Sequence, residues 1–166
     1  MYAVYRQLED RIARNPDDPV FTALRAMHEY QTRSRRQTDP AIPTAALTRI
    51  TEGNGGNAVA VLFGLMRPAM TGTELRLVRA LGGQLQLLDD YQDAELDRRA
   101  GVTTAVTRGE VTLAEICLRL RALWLEMRQY YGRVRPFFAV VYAMLWISFL
   151  RHRCPGWGPA WRRPAR

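Results

Sequence analysis

The sequence predicts an all-α protein, a bundle of about seven helices. No segment shows sustained alternation of apolar and polar residues, which is the pattern of a half-buried strand. Two Thr-x-x-Glu sequences, at Thr71 to Glu74 and at Thr112 to Glu115, match the capping box that begins helices. The 166 residues, 48% hydrophobic and 24% charged, fit a single globular domain.

Proline, glycine and the capping boxes mark where the helices begin and end. Asp18 followed by Pro19 is an N-cap with proline at the first helical position. The run of glycines from Gly53 to Gly56 predicts a break, Gly101 ends a long helix, and Gly132 precedes the last helix. The predicted helices cover, in order, residues 1–14, 19–36, 44–51, 57–66, 73–99, 112–131 and 136–150.

Charge divides the chain into a helical domain over 1–150 and a basic tail over 151–166. All 24 basic residues are arginine, which excludes chemistry that needs a lysine. The tail holds five arginines and no acid, so the net charge of +8 leaves only +3 for the other 150 residues. We therefore expect a poorly ordered basic tail rather than a basic domain, and no nucleic-acid partner.

Three further features bear on location and on cysteine chemistry. The N-terminal residues lack the apolar segment of a signal peptide. The longest apolar run, 136–150, is shorter than the roughly 20 residues that span a bilayer, so we expect a buried core helix. These observations predict a cytoplasmic protein, with peripheral membrane contact through the C-terminal region as the alternative. Cys117 lies in an apolar helical stretch and is expected in the core.

An aspartate stripe, formed by Asp89, Asp90, Asp93 and Asp97, is the most informative feature. At about 100° per residue these four side chains and Gln86 fall within about one third of the helix circumference. Like charges four residues apart destabilise a helix by about 0.2–0.5 kcal/mol per pair. Stacked carboxylates are the oxygen ligands that Mg²⁺ uses together with substrate phosphates. The stripe therefore predicts a magnesium site, although exposed helices also carry aspartates without a metal.

The segment over 82–104 resembles the second aspartate-rich helix of class I isoprenoid synthases. The resemblance is closest to bacterial proteins of the large-terpene-synthase type, and it rests on the following residues: Gly82, Gln86, Asp89, Asp90, Asp93, Asp97, Gly101 and Thr104. It implies a partial class I isoprenoid synthase fold and Mg²⁺-dependent binding and ionisation of a prenyl diphosphate, by a terpene synthase or a prenyltransferase.

The resemblance also implies roles for the residues that match the motif. The four aspartates would be metal ligands or their immediate support, and Gln86 would contact a ligand or the diphosphate. Arg98 and Arg99 would bind diphosphate oxygens, or would serve only as positive charges at the end of the helix. Phe138, Tyr142 and Trp146 share a helical face that could line a hydrocarbon cavity, but an aromatic stripe is more often plain core.

This chain differs from the family in one respect that leaves its activity open. The family uses two facing acidic helices, and here only one is present, in a chain of about half the usual length. We expect either the C-terminal half of a longer enzyme or a chain whose partner supplies the missing half. The alternative is a helical accessory subunit or degenerate relative that pairs with a catalytic partner and does not itself turn over substrate.

Overall fold

The computed structural model describes residues 18–67 and 69–153, together with Arg6, Asp10 and Asn15. Within this part of the chain the protein is all-helical and has no strand, which confirms the predicted fold class. A short 3-10 turn, Arg35–Thr38, follows the first helix. Six α-helices lie within residues 18–67 and 69–153: α1 (Pro19–Ser34), α2 (Thr44–Met66), α3 (Gly72–Gln92), α4 (Ala94–Ala100), α5 (Leu113–Tyr131) and α6 (Arg135–Arg153). Apart from Arg6 and Asp10, the predicted helix over 1–14 lies outside the described residues, as do residues 154–166 of the basic tail.

The predicted helix caps are confirmed. Asp18 accepts a hydrogen bond from the Val20 amide at 2.9 Å, with proline at the start of α1. Thr71 and Thr112 each form the full reciprocal capping box, at the starts of α3 and α5. Each box satisfies two backbone N–H groups that no helical carbonyl can reach.

The predicted break at the glycine run is wrong, because α2 continues through Gly53 to Gly56 without interruption. Tertiary packing explains the difference. Gly55 faces Gly82 of α3, and a Cβ on Gly55 would collide with the Gly82 carbonyl oxygen and lie 2.6 Å from the Gln86 Cβ. The missing side chains let the two helix backbones touch, and this packing offsets the roughly 1 kcal/mol that each helical glycine costs relative to alanine.

The predicted long helix over 73–99 is also wrong in one detail, since it divides at Asp93. This residue leaves the helical conformation (φ −98°, ψ 5°) and separates α3 from α4, although its N–H still donates to the Asp89 carbonyl at 2.9 Å. Aspartate favours caps over helix interiors because its side chain competes for backbone hydrogen bonds. Gly101 ends α4 with a positive φ of 69°, as expected for a C-terminal glycine.

The main core lies between α3, α5 and α6. Leu81 and Leu88, which lie on the side of α3 opposite Asp89 and Asp90, are both buried there. Leu96 would fall on that same side of an uninterrupted helix, but it is 58% exposed because the division at Asp93 carries it onto α4. Cys117 is exposed, which corrects its predicted place in the core; its neighbour Ile116 occupies the core position instead.

The prediction that residues 136–150 form a buried core helix is only partly confirmed by α6. Its core face carries Phe138, Val141, Leu145 and Ser148, all buried. The aromatic stripe divides, because Phe138 is buried whereas Tyr142 is half-buried and Trp146 is 62% exposed. None of the described helices combines the length and the apolar character that crossing a bilayer requires.

Candidate functional site

The aspartate stripe is organised around Asp90, near the C-terminal end of α3. The Thr51 hydroxyl of α2 donates to one carboxylate oxygen of Asp90 at 3.2 Å, and Gln86 Nε2 donates to the other at 3.3 Å. Gln86 Nε2 also lies 3.3 Å from Asp89 Oδ2, so one amide bridges two carboxylates. Two side chains from two helices therefore fix the orientation of Asp90 before any ligand arrives.

The glycine contact between α2 and α3 makes this arrangement possible. Thr51 lies one turn before Gly55, and Gln86 lies one turn after Gly82. Because the two glycines let the backbones touch, the short side chain of Thr51 reaches across to α3. Thr51 is 3% exposed, so water does not compete strongly for its hydroxyl. Sequence reasoning missed Thr51, although a four-residue offset from a glycine on each helix could have indicated it.

The carboxylates of the stripe are close enough to repel one another. Burial raises the pKa of Asp90 to about 6; hydrogen bonds from Gln86 and Thr51 oppose this rise, and the charges of Asp97 and Asp89 add to it. Burial, followed by the charge of Asp93, also raises the pKa of Asp89. The pKa of Asp97 is raised by burial and then by Asp93 and Asp89. The stripe thus concentrates negative charge in a partly desolvated place.

Arg98 and Arg99 do not neutralise that charge. Both are exposed on α4, where Arg98 lies 3.8 Å and Arg99 2.9 Å from carboxylate oxygens of Glu95. They occupy the last turn of the helix, where positive charge is favourable. Within the described part of the chain, no arginine forms an ion pair with an aspartate of the stripe. The structure brings Gln86 to the stripe and places these two arginines against Glu95 instead.

The stripe fits magnesium in one mode of binding only. Among the described residues, no three His, Cys, Asp or Glu side chains converge into a ready-made metal cage. Magnesium is commonly held by one or two carboxylates, with substrate phosphates and water completing its shell. Asp90, oriented by two donors and lacking a cationic partner among the described residues, suits that mode. Asp90 could therefore contribute a carboxylate oxygen to a Mg²⁺ ion whose other ligands come from a diphosphate and from water.

A large apolar groove lies between the start of α5 and α6. Its volume is about 750 Å³, and its lining includes Tyr91, Cys117, Tyr142, Trp146 and Phe149. Of the three aromatic residues that share a face of α6, Tyr142 and Trp146 line this groove, whereas Phe138 is buried in the core. Tyr91 lies about 150° around α3 from the middle of the stripe, so the groove opens on a different face of that helix.

A much smaller cavity lies beside the stripe. It encloses about 130 Å³ between α2, α3 and the segment before α5, and Thr51, Leu87 and Val111 are among its walls. Pockets that hold small organic molecules usually measure about 300–1,000 Å³. The described residues therefore provide an apolar groove and an acidic site, but not on the same face of α3.

Comparisons with protein-family models, with curated proteins and with solved structures return no match for this chain. The resemblance to class I isoprenoid synthases consequently rests on the motif over 82–104 alone. The function has to be inferred from the chemistry of the stripe and its surroundings.

Proposed function

We propose that the chain acts in isoprenoid biosynthesis, where the aspartate stripe binds the diphosphate group of a prenyl diphosphate through Mg²⁺ and promotes its ionisation. The observation that carries this proposal is the state of Asp90. Its carboxylate is held by Gln86 and Thr51, is surrounded by like charge, and has no arginine partner among the described residues. A divalent cation relieves that charge more effectively than any group described on the chain.

Each residue of the site has a distinct task in this proposal. Asp90 is the fixed ligand because two donors set its orientation. Asp89, which shares the Gln86 amide, is the second carboxylate ligand, and Asp93 and Asp97 add negative charge beside it. Gln86 is a positioning residue, since its amide links two carboxylates. Bound Mg²⁺ would neutralise the diphosphate and stabilise its departure as a leaving group.

The electrostatic strain of the stripe supports a cation as its natural partner. The pKa values of Asp89, Asp90 and Asp97 are all raised, which means that the folded protein disfavours their charged forms. Residues held in an unfavourable state without a structural benefit are concentrated at functional sites. Binding a cation would lower these pKa values and recover the energy that the unliganded stripe gives up.

A second function is favoured by the position of the apolar groove. The groove of about 750 Å³ opens on another face of α3, and the cavity next to the stripe is only about 130 Å³. An isoprenoid tail bound at the stripe would therefore need a wall from outside the described residues. This observation favours the accessory role, in which the chain binds a metal–diphosphate pair while a partner chain completes the hydrocarbon cavity.

Product analysis distinguishes the two functions. The purified chain is incubated with Mg²⁺ and farnesyl, geranylgeranyl or longer prenyl diphosphates, and released diphosphate and hydrocarbon products are measured. A complete enzyme releases diphosphate in the wild type and loses release in Asp90→Ala. Glu29→Ala, which removes an exposed acid of α1, is the control and retains release. Magnesium-dependent binding without release identifies the accessory role. Neither binding nor release from folded protein refutes both.

A further inference from the structure

Helix α6 has an open apolar face that neither the core nor the groove uses. We define this open face as Phe137, Val140, Met144 and Ile147, which are 41%, 61%, 41% and 40% exposed. Their spacing of three, four and three residues puts them on one side of the helix. No charged residue occurs over 136–150, so no charge on α6 interrupts this surface. Large contiguous apolar patches on a protein surface mark places where something else binds.

An arginine cleft adjoins the start of the open face. Arg128, Arg133 and Arg135 line a cleft of about 390 Å³ at the turn between α5 and α6, together with Gly132 and Pro136. Gly132, with a φ of 75°, makes the sharp turn that brings the end of α5 next to the start of α6. None of the three arginines forms an ion pair with an acid among the described residues. The Arg128 guanidinium lies over the Trp124 ring, 5.9 Å from its centroid, and the side chains of Arg133 and Arg135 are exposed. Guanidinium groups without acidic partners are suited to phosphate oxygens.

The charge around the open face distinguishes between two possible partners, a second copy of the chain and a phospholipid bilayer. No acidic residue follows Glu126 in the sequence, whereas eight arginines do. A second copy docked symmetrically on the open face would bring arginine against arginine, which is unfavourable. An anionic phospholipid bilayer instead presents phosphates directly beside acyl chains. That juxtaposition matches the arginine cleft beside the open face.

We propose that the arginine cleft and the open face of α6 form a docking surface for an anionic phospholipid bilayer. The helix lies in the plane of the interface, with Phe137, Val140, Met144 and Ile147 among the acyl chains. Lipid phosphates lie at the three arginines. Interfacial helices bind in this way through buried apolar area and attraction to anionic headgroups together. The surface is separate from the aspartate stripe, so this inference does not depend on the proposed function.

Sedimentation with vesicles tests the docking surface. The full chain is mixed with vesicles of phosphatidylcholine alone or with 30% phosphatidylglycerol, and the bound fraction is measured at constant salt. We expect partitioning at least tenfold stronger onto the anionic vesicles. The double variants Arg133→Gln/Arg135→Gln and Val140→Asn/Ile147→Asn should each lower it at least fivefold. Because these side chains are exposed, circular dichroism should show both variants folded.

Matched variants elsewhere on the surface provide the controls. Arg35→Gln/Arg36→Gln removes the same charge from the exposed 3-10 turn, and Leu62→Asn removes an apolar side chain that is 58% exposed on α2. Both should change partitioning by less than twofold. Equal loss in the controls, or equal binding to neutral vesicles, would overturn the proposal. So would a lipid-free dimer that Val140→Asn/Ile147→Asn dissociates, or retention of inorganic phosphate at the cleft with no retention of vesicles.

Discussion

Replacing Asp90 with asparagine should stabilise the protein when no metal is present. Asp90→Asn keeps the size of the side chain. Its amide oxygen can accept from Gln86 Nε2 and its amide N–H can donate to the Thr51 hydroxyl, so both neighbours retain a partner. It removes a negative charge that is partly buried beside Asp97 and Asp89 and whose pKa is raised to about 6. A carboxylate disfavoured in the folded state lowers the free energy of unfolding whenever it is charged.

The size and sign of the effect follow from that pKa. The rise in the pKa of Asp90 from 3.8 to about 6 corresponds to about 3 kcal/mol, because each pKa unit is equivalent to about 1.36 kcal/mol. Part of the side chain remains accessible to water, and screening reduces the expected gain to about 1–2 kcal/mol. The folded state binds the proton more tightly than the unfolded state, so wild-type stability falls as pH rises from about 4 to 6. Asp90→Asn should therefore raise the free energy of unfolding by the whole expected amount above pH 7, and by about a third of that amount at pH 4.5.

Urea unfolding followed by circular dichroism measures this difference. Wild type and Asp90→Asn are compared at pH 7.5 and pH 4.5 in the presence of a chelator. Glu29→Gln is the matched control, because it makes the same acid-to-amide change at an exposed helical position with an exposed arginine partner. We expect less than about 0.5 kcal/mol for the control at both pH values.

Two results would refute the reasoning about Asp90. The first is an Asp90→Asn variant that is less stable than the wild type at pH 7.5. It would mean that the charged hydrogen bonds to Gln86 and Thr51 outweigh desolvation. The second is a gain of equal size at both pH values. A difference that does not depend on pH cannot come from ionisation of the carboxylate.

Two further substitutions test the contact between α2 and α3 beside the stripe and the N-terminal cap of α5. Gly82→Ala should destabilise the protein by about 2–4 kcal/mol in urea unfolding, because its Cβ would collide with the Gly55 backbone. Gly72→Ala, whose Cβ meets nothing within 4 Å, is its control and should be neutral or stabilising; equal losses would contradict the close helix contact. Thr112→Ala should lower the free energy of unfolding by about 1 kcal/mol, because it removes the hydroxyl that accepts from the Glu115 amide. An unchanged midpoint of urea unfolding would show that the capping box does not stabilise the protein.

The parts of this fold that depend on local signals could be predicted from sequence. Asp18, Thr71 and Thr112 cap helices as their patterns indicate, because capping involves residues within one turn. Asp89 and Asp90 lie on one side of α3 for the same reason, since the period of a helix is a local property, whereas the division at Asp93 places Asp97 on α4. Gln86 joins them because it precedes Asp90 by one turn.

The parts of the fold that depend on contacts between helices could not be predicted from the sequence. Glycine is read as a helix breaker because of its backbone freedom, yet Gly55 lies inside α2 because α3 packs against it. Thr51 became part of the site only through that packing. The exposure of Trp146 and Cys117 likewise depends on which helices cover α5 and α6, and periodicity alone does not contain that information.

The most direct test of the account measures binding of a prenyl diphosphate analogue that cannot ionise. Farnesyl thiodiphosphate is titrated into the chain by calorimetry, with Mg²⁺ or with a chelator, for wild type, Asp90→Ala and Glu29→Ala. The account predicts binding that requires Mg²⁺, is lost in Asp90→Ala, and is unchanged in Glu29→Ala, which removes an exposed acid of α1. Binding that persists with the chelator, or that is equal in wild type and Asp90→Ala, would contradict the assignment of the stripe as a metal–diphosphate site.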